Sequence, residues 1–269
     1  MRLFADDTII YITINANDSN SLQDDLCKLE CWEKKWLMSF HPNKCEVMTI
    51  TNKKTPLLIN YYLHGQCLKR TSKAKYLGVT ISSTLSWKDH INAISSKANS
   101  TLGFLRRNLS IESRSIKERA YFALVRPQLE YCATVWDPQD SGSIKKLEMV
   151  QRRAARYVLG RYRRRASVTE MLSELQWSTL KERRLTSKLG MMYKINNDLV
   201  ALTTEDLQME HLNRPGRHSN SYAFKIPYAK RDAYKNSFVP TTIRAWNNLP
   251  NSIAGSPSLD TFKAGLSSA

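Results

Sequence analysis

Apolar positions along the chain mix short strand-like runs with one helical stripe over roughly the first 85 residues, and follow a helical period afterwards. Residues 3–5 (Leu-Phe-Ala) and 8–14 (Thr-Ile-Ile-Tyr-Ile-Thr-Ile) are short strand-rich runs on either side of Asp6-Asp7, a pair suited to a tight turn. They predict a hairpin with carboxylates at its tip. Leu22, Leu26, Leu29, Trp32, Trp36 and Phe40 recur every three or four positions behind a polar Asn17-Asp18-Ser19, and Ser21 and Asp24 have the spacing of a capping box. That pattern predicts an amphipathic helix. His41-Pro42-Asn43 closes it, because proline disfavours helical geometry in the residue before it, and 45–51 returns to strand composition. Residues 58–63 and 66–69 flank His64-Gly65 as a hairpin would, and 75–82 reads as one further strand.

Beyond Trp87 the stripes are helical: Ile91, Ile94, Ala98, Leu102 and Leu105, then Ile116, Ala120, Ala123 and Leu124. Helices are also expected at 143–159, 168–175 and 178–196, punctuated by Pro127, Pro138 and Gly160. From about 203 the pattern thins, and only short elements near 237–248 and 259–266 stand out. The expected class is α+β, with boundaries at 1–85 (mixed), 86–202 (all-helical and basic) and 203–269 (an extension of no evident role).

Composition narrows the partners. The chain has 269 residues, 42% of them hydrophobic and 24% charged, which is ordinary for a folded protein of two modules. Forty-one Lys and Arg against 24 Asp and Glu leave a formal charge of +17, so polyanions, nucleic acid first among them, are the expected partners. No apolar run reaches the roughly 18 residues of a membrane span, and the chain reads as intracellular, nuclear or cytoplasmic, and not membrane-bound. Arg152, Arg153, Arg156, Arg161, Arg163, Arg164 and Arg165 fall in one stretch without an acid, with Tyr157 and Tyr162 interleaved. Phosphate contact and base stacking are both available there; a solvated helix face is the plainer alternative.

Two carboxylates on a hairpin tip have the oxygen chemistry that hard cations such as Mg²⁺ take. Alone, Asp6-Asp7 is a weak signal. Phe4-Ala5-Asp6-Asp7-Thr8-Ile9-Ile10-Tyr11, however, resembles the catalytic turn of reverse transcriptases, particularly those of jockey-type non-LTR retrotransposons. Further segments agree in order. Phe40-His41-Pro42-Asn43-Lys44-Cys45-Glu46-Val47 resembles the family's Asn-Pro-x-Lys segment with Pro and Asn transposed, and Tyr76-Leu77-Gly78-Val79 its primer-grip turn. Trp87-x-x-His90-Ile91 resembles the opening of a thumb. Arg126-Pro127-x-Leu129-x-Tyr131-Cys132-x-x-Val135-Trp136, the stretch from Leu147 to Arg156, and Trp246-Asn247-x-Leu249-Pro250 resemble segments downstream of the polymerase core.

The resemblance implies a partial palm over 1–85 followed by a helical thumb-like region. It implies Asp6 and Asp7 as Mg²⁺ ligands, Lys44 as proton donor to the leaving pyrophosphate, and Leu77-Gly78 in contact with nucleic acid. The implied partners are an RNA template and a DNA primer, paired as RNA–DNA hybrid. In the family another essential aspartate and the fingers precede this turn. The expectation is therefore a fragment truncated at the Ala-Asp-Asp turn, missing an N-terminal polymerase half and inactive alone; a non-catalytic basic RNA- or DNA-binding module is the alternative.

Other chemistries have thinner support. Cys27, Cys31, His41 and Cys45 include zinc-type ligands, but Cys27 and Cys31 sit one turn apart on the predicted helix, away from usual zinc spacings, and read as packed core cysteines, as does Cys132. His90, His211 and His218 have no partners arranged for a hydrolase. The six tryptophans read mainly as core anchors.

Overall fold

The computed structural model describes every residue except 5–6, 15–20, 112, 164–165, 213–219 and 269, and the side chains of all the rest but Leu3 and Ser268. Helix and strand are mixed, in an α+β arrangement whose described strands pair only in twos. The chain divides into two compact units, residues 1–90 and 91–269.

In the first unit β1 (Arg2–Phe4) and β2 (Asp7–Ile9) form an antiparallel hairpin with Arg2 opposite Ile9 and Phe4 opposite Asp7. The strand expected to reach residue 14 stops at Ile9, since β1 offers only three residues of ladder to pair with. Helix α1 (Ser21–Trp36) follows, with Ser21 already inside the helix and not at its cap. Its predicted apolar stripe is only partly used: Leu26 is buried, whereas Trp32 and Trp36 are 40% and 59% exposed.

Polar side chains fasten α1 instead. After a 3₁₀ turn (Pro42–Lys44) come β3 (Glu46–Val47), β4 (Tyr62–Leu63), β5 (Gln66–Cys67) and β6 (Lys69–Arg70). The Gln23 amide accepts from the Tyr62 N–H at 2.8 Å and donates to the Tyr62 carbonyl at 2.9 Å, and Glu30 accepts the His64 N–H at 2.6 Å. These side chains satisfy backbone groups at the edge of β4 that would otherwise lack partners. The buried Glu33 carboxylate lies 2.8 Å from His64 Nε2 and accepts the Phe40 N–H. Strand β3 runs parallel to β6, and β4 turns back on β5 through His64 and Gly65, both at positive φ.

The segment 75–82, expected as one strand, is a hairpin of β7 (Lys73–Tyr76) and β8 (Val79–Ser82). Leu77 and Gly78 turn it with φ of +45° and +81°, the two positive angles a type I′ turn requires. Glycine adopts this freely; leucine does not, so an apolar run concealed the turn.

The second unit is helical. It runs through α2 (Lys88–Asn108), α3 (Arg114–Ala120), a π turn (Tyr121–Val125), α4 (Arg126–Glu130), α5 (Ser141–Leu159), α6 (Val168–Glu174) and α7 (Leu180–Asn196). Two of the predicted stripes are buried: Ile91, Ala98, Leu102 and Leu105 of α2, and Leu147, Val150, Ala154 and Val158 of α5. The third is corrected: Ile116, Ala123 and Leu124 are exposed, and the π turn rotates Tyr121 and Val125 into the core in their place. Local chemistry fixes the ends. Asp140 caps α5, which closes on Gly160 at φ +64°, and Thr179 and Glu182 form a reciprocal capping box on α7.

The C-terminal stretch is better ordered than its pattern promised. After a short helix α8 (Asp232–Lys235), three helices, α9 (Phe238–Asn247), α10 (Asn251–Ala254) and α11 (Leu259–Ser268), build a cluster on Met192, Tyr193 and Ile195 of α7 around Phe224, Ile243, Trp246 and Phe262. Trp246 Nε1 donates to the Tyr222 carbonyl at 2.9 Å, and Asn220 reaches the Trp246 carbonyl at 2.7 Å.

Two expectations are corrected. Trp136 and Trp246 are core anchors, but Trp32 and Trp36 are exposed. The cysteines are not core residues either: Cys27, Cys31 and Cys67 are exposed, Cys45 and Cys132 half-buried, and all five are free. On α1 the reason is that the buried face runs through Leu26 and Glu33, one to two residues off the cysteines.

Candidate catalytic turn and nucleic-acid interface

The hairpin β1–β2 carries the candidate turn. Asp6 lies outside the described residues. Asp7 opens β2 opposite Phe4, and both are exposed, Phe4 at 63%. Lys44 ends the 3₁₀ turn, also exposed, and no ion pair joins it to Asp7. The carboxylate of Asp7 is the right donor chemistry for a hard cation, but one carboxylate is not a donor set. Among the described residues no group of three Asp, Glu, His or Cys side chains gathers where a metal could sit. Two-metal phosphoryl transfer needs carboxylates that bridge ions roughly 4 Å apart, so the described residues do not by themselves fit that chemistry.

Leu77 and Gly78 occupy the exposed end of the β7–β8 hairpin, with Gly78 open to solvent and Leu77 half-buried. Behind them Thr80 N–H donates to His90 Nδ1 at 3.2 Å. Burial first, and the nearby Lys75 charge second, hold the His90 imidazole below its ordinary pKa, which keeps that nitrogen an acceptor.

The arginine run is not one uniform strip. Arg152 and Arg153 are exposed on α5, Arg156 is half-buried there, and Arg163 is exposed in the following loop, while Arg164 and Arg165 lie outside the described residues. Arg161 is already engaged: its guanidinium grips Glu174 of α6 at 2.5 and 3.4 Å, and Arg114 reaches the same carboxylate at 3.2 Å. Its charge is therefore partly spent within the fold. The structure instead brings Arg153 beside residues that linear reading passed over: Asn99 and Arg106 of α2, and Lys145 and Lys146 of α5. Their signal in sequence was only the seven-residue spacing of Asn92, Asn99 and Arg106, which has meaning once the partner helix is known.

No helix among the described residues is long and apolar enough to cross a membrane. No family model matches the chain, and no solved structure matches it. Curated relatives do. Over 164 residues it is 27% identical to the probable RNA-directed DNA polymerase from transposon BS of Drosophila melanogaster, covering 59% of this chain and 18% of that protein. Over 168 residues it is 27% identical to the RNA-directed DNA polymerase from mobile element jockey of Drosophila funebris, covering 58% and 18%. The probable RNA-directed DNA polymerase from transposon X-element of Drosophila melanogaster is 24% identical over 166 residues, covering 60% and 18%. The chain thus spans under a fifth of the length of the relatives it matches. Its sequence relatives are the RNA-directed DNA polymerases of jockey-like, non-LTR retrotransposons.

Proposed function

We propose that this polypeptide is part of an RNA-directed DNA polymerase of a non-LTR retrotransposon, contributing the catalytic-turn hairpin, palm strands over 1–85 and a basic thumb-like region over 86–202. The observation that carries the reading is the Phe4–Asp7 hairpin, an acidic turn between paired strands, in a chain whose relatives are such polymerases. In this reading Asp6 and Asp7 hold Mg²⁺, which would neutralise charge on the reacting phosphates, and Lys44 stands ready to protonate the leaving pyrophosphate. Leu77 and Gly78 touch the primer strand, and template RNA and DNA primer lie as hybrid against the basic helices.

An adjacent Asp pair does not span two metals, so the 269 residues alone are expected not to polymerise. The test is primer extension on an annealed RNA template with Mg²⁺ and dNTPs. The chain alone should extend nothing; joined to the aspartate-bearing palm strand and fingers of a jockey-like polymerase it should extend, and Asp6→Ala or Asp7→Ala should abolish that extension. Extension by the joined protein that survives both substitutions sinks the assignment of the turn. Extension by the chain alone, lost on Asp6→Ala, sinks the claim of incompleteness.

A further inference from the structure

Helices α2 and α5 are linked by polar contacts at equal intervals. Lys146 Nζ donates to Asn92 Oδ1, and Arg153 Nη1 donates to Asn99 Oδ1 at 2.9 Å, both pairs 54 positions apart. A constant offset means the helices run parallel and in register, with successive links two turns, about 10 Å, apart. One more step of seven on α2 reaches Arg106, whose guanidinium lies 5.4 Å from the ring centroid of Tyr162, just past the end of α5. Ser96, Ser100 and Gly103 on one side and Gly142 on the other keep the walls low. They leave two spaces of about 500 and 350 Å³ that share Ser96, Asn99 and Arg153.

What separates these cations from the ion-paired ones of the unit is the kind of partner they have: amide oxygens hold Lys146 and Arg153 in a lined space. Arg114, Arg126, Arg161, Arg183, Arg184 and Lys188 are each ion-paired with a carboxylate. Among the described residues Arg106, Lys145, Lys146 and Arg153 pair with none, and no carboxylate lines either space. The acid at the start of α5, Asp140, is committed to the Ser143 N–H at 2.8 Å. An amide oxygen fixes the direction of a cation without cancelling its charge, so Asn92 and Asn99 position Lys146 and Arg153 while leaving them electropositive.

We propose that the α2–α5 groove binds the sugar–phosphate backbone of a nucleic-acid strand. A linear polyanion matches regularly spaced cations along a concave track, with the serine and asparagine side chains as additional hydrogen-bonding groups. A flat anionic lipid surface does not follow a concave track in this way. The inference deepens the proposed function, resting on its placing of the hybrid against the basic helices and naming the groove and residues that would hold it, but it needs neither Asp6, Asp7 nor a metal.

The test is fluorescence anisotropy of the full chain with a labelled RNA–DNA hybrid over a salt series. Replacing Arg106, Lys145, Lys146 and Arg153 by Gln should weaken binding roughly tenfold or more and lower the log–log salt slope by about 0.9 for each phosphate no longer neutralised. A charge-matched control, Lys230→Gln, Arg231→Gln, Lys235→Gln and Lys263→Gln, should change far less. Asn92→Asp with Asn99→Asp, nearly isosteric, should reproduce the loss with the melting temperature unchanged, because the new carboxylates neutralise Lys146 and Arg153 in place. Equal weakening by groove and control sets means net charge alone attracts the strand, and overturns the proposal. So does hybrid binding that the groove variants leave intact while anionic vesicle binding falls. Failure of the joined protein to extend a primer, with groove binding preserved, would strike only the polymerase reading.

Discussion

The two units differ in how much of their apolar content they bury. Among described residues the first buries four hydrophobic side chains, Leu26, Tyr61, Leu63 and Val79, and exposes twelve large ones, from Met1 and Phe4 to Trp36, Met38 and Leu85. The second buries thirty-three. A unit with so little core is held by its hydrogen bonds, by Gln23 and Glu30 on β4 and by Glu33 on Phe40, which contribute modestly because unfolding returns those groups to water. The candidate catalytic turn therefore sits in the weaker unit, and the basic groove in the stronger one. Local opening should follow that division, with amides of 1–90 exchanging well before those of α5 and α7.

The largest effects are expected where the contrast is greatest. Trp246→Ala removes a fully buried ring from the cluster on α7 and should cost about 3–5 kcal/mol, whereas Trp32→Ala on the exposed face of α1 should cost under about 1 kcal/mol. Urea denaturation measures both; comparable losses would mean the first unit is packed after all. Next comes Asp137, which accepts from Arg184 Nε at 2.9 Å and from Lys188 Nζ, two buried cations. Asp137→Asn leaves both without a counter-charge and should cost about 3 kcal/mol or more. Adding Arg184→Met and Lys188→Met should recover part of that loss. If the triple variant is instead less stable than Asp137→Asn, the ion cluster is not the reason for the cost.

The same contrast decides what could be read from the sequence. The helical half was legible where packing and periodicity agree: the stripes of Ile91 to Leu105 and Leu147 to Val158 are buried, and Gly160 ends α5 where expected, whereas the stripe of Ile116, Ala123 and Leu124 is exposed because a π turn shifts the buried face to Tyr121 and Val125. In the first unit they disagree. Trp32 and Trp36 continue a stripe that α1 does not bury, and Leu77 takes a left-handed angle that nothing in its side chain announces. The C-terminal cluster was missed since its helices are short and its packing rests on side-chain caps such as Asn220 on Trp246, which leave no periodic trace. As for the candidate sites, Asp6-Asp7 is a local motif that a short window of sequence is enough to propose. The pairing of Asn92 with Lys146 and Asn99 with Arg153 is a relation across 54 positions, absent from any window of sequence.

Within the weaker unit the β7–β8 turn offers a smaller change in either direction. Gly78→Ala places a Cβ at φ +81° and should cost about 1 kcal/mol, while Leu77→Asn supplies the Asn-Gly pair that type I′ turns favour and should gain up to about 1 kcal/mol. Thermal melts of the two variants should shift in opposite directions. If Leu77→Asn destabilises, the leucine side chain contributes more to packing than its backbone angle costs.

The smallest effect is a dependence on pH. His90 Nδ1 accepts the Thr80 N–H and so must be unprotonated, and burial, aided by Lys75, lowers its pKa beneath the ordinary 6.5. The unfolded chain then binds this proton at a pH where the folded chain does not, so stability rises with pH wherever the two states differ. The stabilisation from neutral His90 is complete above about pH 6.5 and declines as pH falls through the window between that value and the lowered folded one. His90→Asn keeps an acceptor of similar reach without a titrating group. The difference in denaturation midpoint between the original chain and this variant, which cancels the other histidines, should be flat above neutrality and shrink towards acid. A difference that grows on acidification would mean that protonated His90 is the form the fold prefers, and that the Thr80 contact does not set its charge.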